Sequence, residues 1–338
     1  MASDADIHSL VIGRHAMACR FEIVFNAGQH SQDTEAAIAA LDVIDAIEER
    51  ISIYRESSEL SHINRTAADG WQLVSTDVYL LLERAVALWE RTQGAFDIAA
   101  GRLVREWGFL ERQGRAPTAV DLATALEVSG SRWLELDPDG QRIRFTRRGL
   151  ELNPGAIGKG WALDRAIERL VADGVANCLL HGGSSSVRAV GHQWSVRQEG
   201  PRGWPVGIRH PLRPGVRLAT VAIIDRALGT SGSGTQFFID RGRKLGHILD
   251  PRTGRPAEGV LSATVLAPTA SEADALATAA YVLGPAGLAT IAPSGGPVGV
   301  LLTVPGEQAE IDLIIANVAE SAVSIDDARG VRVDWRSS

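Results

Sequence analysis

From Gln141 to Pro305 the chain breaks again and again into short β-type runs, each bounded by glycine, proline or charge. They read QRIRFTR, VANCLLHGG, SSVRAVG, WSVRQ, WPVGIRHP, VRLATVAIID, TQFFIDRGRKLGHILD, VLSATVLAP and PVGVLLTVP. Helical stretches over 160–174 and 271–284 interrupt this series at irregular intervals, which predicts a mixed α+β sheet layered with helices and argues against strict βαβ alternation. The first third differs. After an opening strand, CRFEIVF, the segment from Thr34 to Arg50 places Ile38, Leu41, Ile44, Ala46 and Ile47 at helical spacing, and TDVYLLLERAVALWERTQG repeats the pattern. Gly94 stands where a glycine ends such a helix, and AFDIAAGRLVREWGF then turns the chain toward a third helical stretch near TAVDLATALEVSG. No internal repeat, low-complexity tract or linker divides the 338 residues, and 45% hydrophobic content supplies a large core. A single domain over 1–338 is expected, with 1–10 and 320–338 flexible or peripheral.

Charge narrows the partners. A formal net charge of −7 argues against a nonspecific polyanion surface, so nucleic acid is not expected, while a local basic pocket for a phosphate stays compatible with the acidic whole. Cys19 and Cys178 sit in apolar surroundings at no metal-like spacing and read as buried free thiols. The first twenty residues lack a basic stretch followed by an apolar one, and no later run reaches the roughly 18 apolar residues of a membrane span. A cytoplasmic location without membrane insertion is therefore the expectation.

Four segments carry candidate chemistry. In NPGAIGKGWALD, Gly155, Gly158 and Gly160 either form a tight turn or let the backbone approach an anion at a helix start, with Lys159 as counter-charge. This is not a P-loop, which needs wider glycine spacing and a hydroxyl after the lysine, where Gly160 stands. In TASEADALATAAYVLG, Asp274 is three residues beyond Ser271 and fits the acid of a capping box; it also shares a helical face with Thr278, where carboxylate and hydroxyl can both ligate Mg²⁺. KLGHILDPRTGRP places His247, Asp250, Arg252 and Thr253 at a strand-to-turn transition, so His247 is either a satisfied hydrogen-bonding residue or an acid–base group. GTSGSG sets Thr230, Ser231 and Ser233 among glycines suited to an anion; Ser231 as a hydrolase nucleophile is disfavoured because no helix follows it.

Taken in order, these segments resemble the ApbE family of flavin transferases, which move FMN from FAD onto a protein threonine or serine. The resemblance spans residues 11–285 and includes HAMACRFEI, SIYRESSELSHIN, GAFDIAAGRLVREWGF, LNPGAIGKGWALDRAIERL, HGGSSSVRAVG, GTSGSG, HILDPRTGRP and SATVLAPTASEADALATAAYVLG. It implies an ApbE-like, T-fold-like α+β enzyme of largely antiparallel sheets layered with helices, with FAD as substrate and Mg²⁺ at its pyrophosphate. By position in these motifs, Met17, Tyr54, Ala95, Phe96, Asp97, Asn153, Lys159 and Ile248 are expected to contact FAD. Mg²⁺ is expected on the Ala156 carbonyl, the Asp274 carboxylate and the Thr278 hydroxyl. Asp274 and His247 are the expected catalytic pair, His247 taking the acceptor's proton.

The implied reaction releases AMP and leaves FMN on the acceptor, a protein bearing an Asp-x-x-Thr-Ser/Thr type of sequence. This chain contains no such sequence, so self-modification is not expected. Two other activities fit the same residues: hydrolysis of FAD to FMN and AMP, and FAD binding without turnover. The chain departs from the family pattern at Ser184, in the SGTQFF that follows GTS, and at Asn153, where an aspartate is common.

Overall fold

A computed structural model describes residues 9–29, 31–111, 113–193, 203–232, 234 and 236–336. The expected strand WSVRQ and the expected anion ligand Ser233 lie outside them. Its spine is a nine-stranded sheet whose spatial order follows the order of its strands in the chain. The strands are β1 (Ser9–Ala16), β2 (Cys19–Asn26), β3 (Cys178–Gly182), β4 (Ser186–Val190), β5 (Ala227–Gly232), β6 (Ser262–Ala267), β7 (Gly299–Pro305), β8 (Ile311–Ala316) and β9 (Val331–Arg336). Neighbours pair antiparallel throughout, except β8 with β9, which run parallel. The fold is thus the expected mixed α+β arrangement of largely antiparallel sheets. Residues 331–336, expected at the periphery, are the edge strand of this sheet.

Between β2 and β3 the chain inserts its helical layer: α1 (Asp33–Ile51), α2 (Glu59–Thr66), α3 (Thr76–Arg91), α4 (Gly101–Glu106), α5 (Ala119–Val128) and α6 (Gly158–Ala172). Helix α7 (Ala270–Leu283) follows β6. Strand alternation sends one set of side chains to each face of the sheet. Ala263, Val265 and Ala267 of β6, with Val300 and Leu302 of β7, join the large core beneath the helices. Leu228, Leu266, Leu301, Leu313 and Ile315 point the other way and pack against Trp204, Ile208 and Val221. Those last residues belong to a three-stranded sheet of 204–209, 217–223 and 323–325. Both faces of the main sheet are covered where β7 and β8 run, which is why those two strands are apolar at nearly every position.

Three expectations change. In α1 the buried face is Ala36, Ala37, Ala40, Leu41, Ile44, Ile47 and Ile51, and Ile38 and Ala46 face solvent. GTSG is not a glycine loop: Thr230 and Ser231 lie in β5, paired with Thr264 and Ala263 of β6. Finally, the helical stretch Ala270–Ile291 is, at 22 residues and mean hydropathy 1.2, long and apolar enough to cross a membrane. The fold uses it as a core helix instead, with Ala273, Ala275, Leu276, Ala277, Ala279 and Ala280 buried.

Small residues hold α7 in place. A Cβ on Gly160 of α6 would lie 2.2 Å from the Ala270 carbonyl oxygen, and one on Gly229 of β5 would lie 2.5 Å from the Ala273 carbonyl carbon. Glycine at both positions lets α6 and β5 touch the α7 backbone directly. Asp164 of α6 then closes the α7 N-terminus, accepting from the backbone N–H groups of Ala270 (2.7 Å) and Ser271 (2.9 Å) and from the Ser271 hydroxyl (2.7 Å).

Candidate functional site

A cavity of about 410 Å³ opens where the Ala95–Asp97 turn, the Asn153–Lys159 turn, β5, the 247–249 segment and α7 converge. It is lined by Tyr54, Ala95, Phe96, Asp97, Asn153, Ala156, Lys159, His247, Ile248, Asp274 and Thr278. The structure therefore gathers into one hollow every residue expected to contact FAD, hold Mg²⁺ or act in catalysis except Met17. Met17 and Ala18 form the tight turn between β1 and β2, both at positive φ (48° and 58°), and the Met17 side chain packs against the main core.

Asp274 is the electrostatic centre. Its Oδ2 accepts from the Gly160 backbone N–H at 2.8 Å and from the Ser186 hydroxyl at 2.9 Å, across 114 and 88 residues of sequence. Burial nevertheless pushes its carboxyl up to about 7, outweighing the opposing pull of Lys159 and of those two hydrogen bonds. The capping-box expectation is corrected here. The α7 N-cap is Thr269, whose hydroxyl accepts from Glu272 N–H, while Ser271 is bound to Asp164. Asp274 therefore takes no part in capping α7 and instead accepts from the first turn of α6 at Gly160.

The glycine turn serves two neighbours, since Gly155 lines the cavity with Ala156 and Lys159. None of Gly155, Gly158 and Gly160 has a positive φ, and Gly160 is tight against α7 rather than against the cavity. Asn153 shapes this turn, accepting from Gly155 N–H at 2.9 Å through Oδ1. Lys159 donates to the Ser185 hydroxyl. Thr278 shares a 3.0 Å hydrogen bond with Ser231, so β5 delivers a second hydroxyl beside α7.

His247 lines the same cavity. Its Nδ1 lies 3.1 Å from the Gln236 carbonyl oxygen, which only accepts, so Nδ1 carries the proton and Nε2 keeps the lone pair in the neutral ring. Burial lowers its pKa from the ordinary 6.5, against the smaller opposing effect of that carbonyl, and favours the neutral form. Phe109 meets the imidazole edge-on at 6.4 Å between centroids. Asp97 is occupied structurally, since its oxygens accept from Ala99 N–H and from the backbone and hydroxyl of Ser131. Tyr54, 74% exposed, overhangs the mouth.

Ser185, Ser186, Phe109 and Gln236 belong to the site but were not singled out from the sequence. For the serines the signal is HGGSSS itself, in which Ser184 directly follows the paired glycines and Ser185 and Ser186 come after it. Ser184 is exposed and does not line the cavity, so that departure falls outside the hollow.

No group of three or more His, Cys, Asp or Glu side chains suited to a metal occurs among the described residues. With Asp97 committed to Ala99 and Ser131, the cavity offers instead the Asp274 carboxyl, hydroxyls and a backbone carbonyl, all hard oxygen donors. That set fits Mg²⁺ only when substrate phosphates complete its coordination, which is how the ion is commonly held. The buried Asp274 carboxyl, raised to about 7 and without a salt bridge among the described residues, is one that a cation at the same place would hold in its charged form.

Comparison with known proteins gives a consistent answer. Residues 17–301 match the model of the ApbE family. The chain is 33% identical to the FAD:protein FMN transferase of Treponema pallidum over 244 residues, covering 69% of this chain and 67% of that protein. It is 35% identical to the enzyme of the same name from Rhodobacter capsulatus over 230 residues, covering 67% of this chain and 42% of that longer protein. Among solved structures, the ApbE protein of Thermotoga maritima superposes with a TM-score of 0.79 at 28% identity, covering 88% of this chain and 95% of the other.

Proposed function

The chain belongs to the ApbE family, and from that premise we propose that it transfers FMN from FAD to a threonine or serine hydroxyl of an acceptor protein, with release of AMP and dependence on Mg²⁺. The observation that carries this reading is the buried Asp274 carboxyl, both of whose hydrogen bonds fall on Oδ2, set in one cavity with Thr278, Lys159 and a neutral His247.

Asp274 Oδ1, the Thr278 hydroxyl and the Ala156 carbonyl would hold Mg²⁺, which supplies charge neutralisation on the pyrophosphate. Lys159 adds a second positive charge toward the same phosphates. Tyr54 offers an exposed aromatic face to the flavin, and the Ala95–Asp97 turn, fixed by Asp97 to Ser131, forms a rigid wall beneath it. His247 Nε2 takes the proton from the acceptor hydroxyl as its oxygen bonds to the FMN-side phosphorus. The bond between that phosphorus and the bridging oxygen breaks, and AMP leaves with the bridging oxygen and its electron pair. Positioning and electrostatics then supply most of the acceleration, as in other phosphoryl transfers.

Flavin fluorescence titration tests the ground-state part of this reading. FAD is expected to bind more tightly with Mg²⁺ than with EDTA in the wild type, and Asp274→Ala is expected to erase that difference. An unchanged Mg²⁺ effect in Asp274→Ala would remove this carboxylate from the metal site.

A further inference from the structure

We infer that the hairpin formed by 237–240 and 243–246 is the docking element for the acceptor protein and receives an extended, acidic segment of it. This rests on the transferase reading above, since only a protein substrate needs a landing surface outside the cavity.

The hairpin is a two-stranded sheet whose outer edges have no strand neighbour among the described residues. Its inward side is occupied: Phe238 and Leu245, paired across the strands, pack on the cluster of Trp107 and Phe109. Its outward side is not, for Phe237 is 45% and Ile239 69% exposed. Two apolar side chains on one face of a free strand edge suit an extended peptide, which gains backbone pairing and side-chain contact together.

Charge selects the chemistry of that peptide. The hairpin carries Arg241, Arg243 and Lys244 against Asp240, in a chain of formal charge −7. Arg243 is paired with Glu258 at 2.7 Å, whereas Arg241 and Lys244 have no carboxylate partner among the described residues, and the Lys244 ammonium rests 4.2 Å from the centre of the Phe237 ring. An acidic segment is repelled by most of this surface and attracted here.

Placement ties docking to chemistry. The two strands begin after Gln236 and end before His247, and the Gln236 carbonyl accepts from both the His247 backbone N–H (3.2 Å) and its Nδ1 (3.1 Å). Gln236 and His247 both line the cavity. The imidazole lies on the inward side with Phe238, Leu245 and Phe109, so a segment paired along the free strand edge at Phe237 reaches it past Gln236, where the strand enters the cavity.

The test uses the full chain and, as acceptor, a small soluble domain bearing an Asp-x-x-Thr-Ser sequence. FMN transfer is followed against acceptor concentration, together with FAD affinity and AMP release without acceptor. Phe237→Ser combined with Ile239→Ser, and separately Lys244→Glu, are each expected to raise KM for the acceptor at least about tenfold. FAD affinity and acceptor-free AMP release should stay at wild-type levels. Unchanged KM in both variants overturns the docking role; so does a parallel loss of FAD affinity, which would make the hairpin a support for the cavity. Wild-type chain that binds FAD yet never labels the acceptor removes the transferase reading itself, and this inference with it.

Discussion

Asp274 and His247 are held in opposite ways. Asp274 is buried with two donors on one oxygen and a carboxyl raised to about 7. His247 is buried with one acceptor on Nδ1 and a pKa pressed below 6.5. Both shifts favour the neutral form, but only for His247 is neutrality the working state. Protonating His247 is linked to unfolding: the stabilisation of its neutral form is complete above pH 6.5 and is lost as pH falls through the depressed native value. The acid limb of transfer should therefore lie below 6.5, and a rate profile from about pH 5 to about pH 8 will show it. An acid limb above that value would exclude neutral His247 as the base. Replacing the ring makes the same point: His247→Ala should keep FAD affinity while transfer falls by about 10²- to 10⁴-fold, the usual share of a general base. Unchanged turnover in His247→Ala would contradict the assignment.

Helix α7 is the element on which the site depends, and it is kept in place by contacts that a larger side chain or a lost charge would break. Gly160→Ala puts a methyl group 2.2 Å from the Ala270 carbonyl oxygen, so α6 and α7 must part. The expected cost is about 1–3 kcal/mol, read by urea denaturation. Asp164→Ala strips two backbone N–H groups and the Ser271 hydroxyl of their acceptor at the α7 N-terminus, at a cost of about 3 kcal/mol. In both variants Asp274 moves with the helix, so Mg²⁺-dependent FAD binding should weaken along with stability. A Gly160→Ala chain as stable as wild type would mean that the two helices have slack, contrary to their packing. The same element shows where sequence reading stops. Its span was legible from composition and flanks, and the glycines of the α6 turn were visible as a group. Their purpose was not, because the atoms they admit lie on α7, far along the chain. Likewise Ser186 meets Asp274 across 88 residues, a pairing no local pattern announces. β5 was hidden for a different reason: ALGTSG is written in turn residues and becomes a strand only because β4 and β6 flank it.

At the scale of the molecule, one long sheet carries the helices on one face and a small sheet on the other, and the chemistry collects at the edge of the helical layer. Most strands and the long helices followed from hydrophobic period, since burial on known faces writes itself into the sequence. The short helices α2 and α4 and the strands β1, β8 and β9 did not. IDLIIA in β8 is apolar at nearly every position because both of its faces are covered, which removes the alternation that marks a strand. The site was assembled from ordered motifs that are each weak alone, and the fold brings all but Met17 to one cavity. The most direct test of the whole account mixes the purified chain with FAD, Mg²⁺ and a domain carrying an Asp-x-x-Thr-Ser sequence, and follows acceptor mass together with AMP. The account predicts a gain of one FMN per acceptor matched by one AMP, abolished by EDTA and by Asp274→Ala. AMP release with an unmodified acceptor, or FAD binding with neither product, would contradict it.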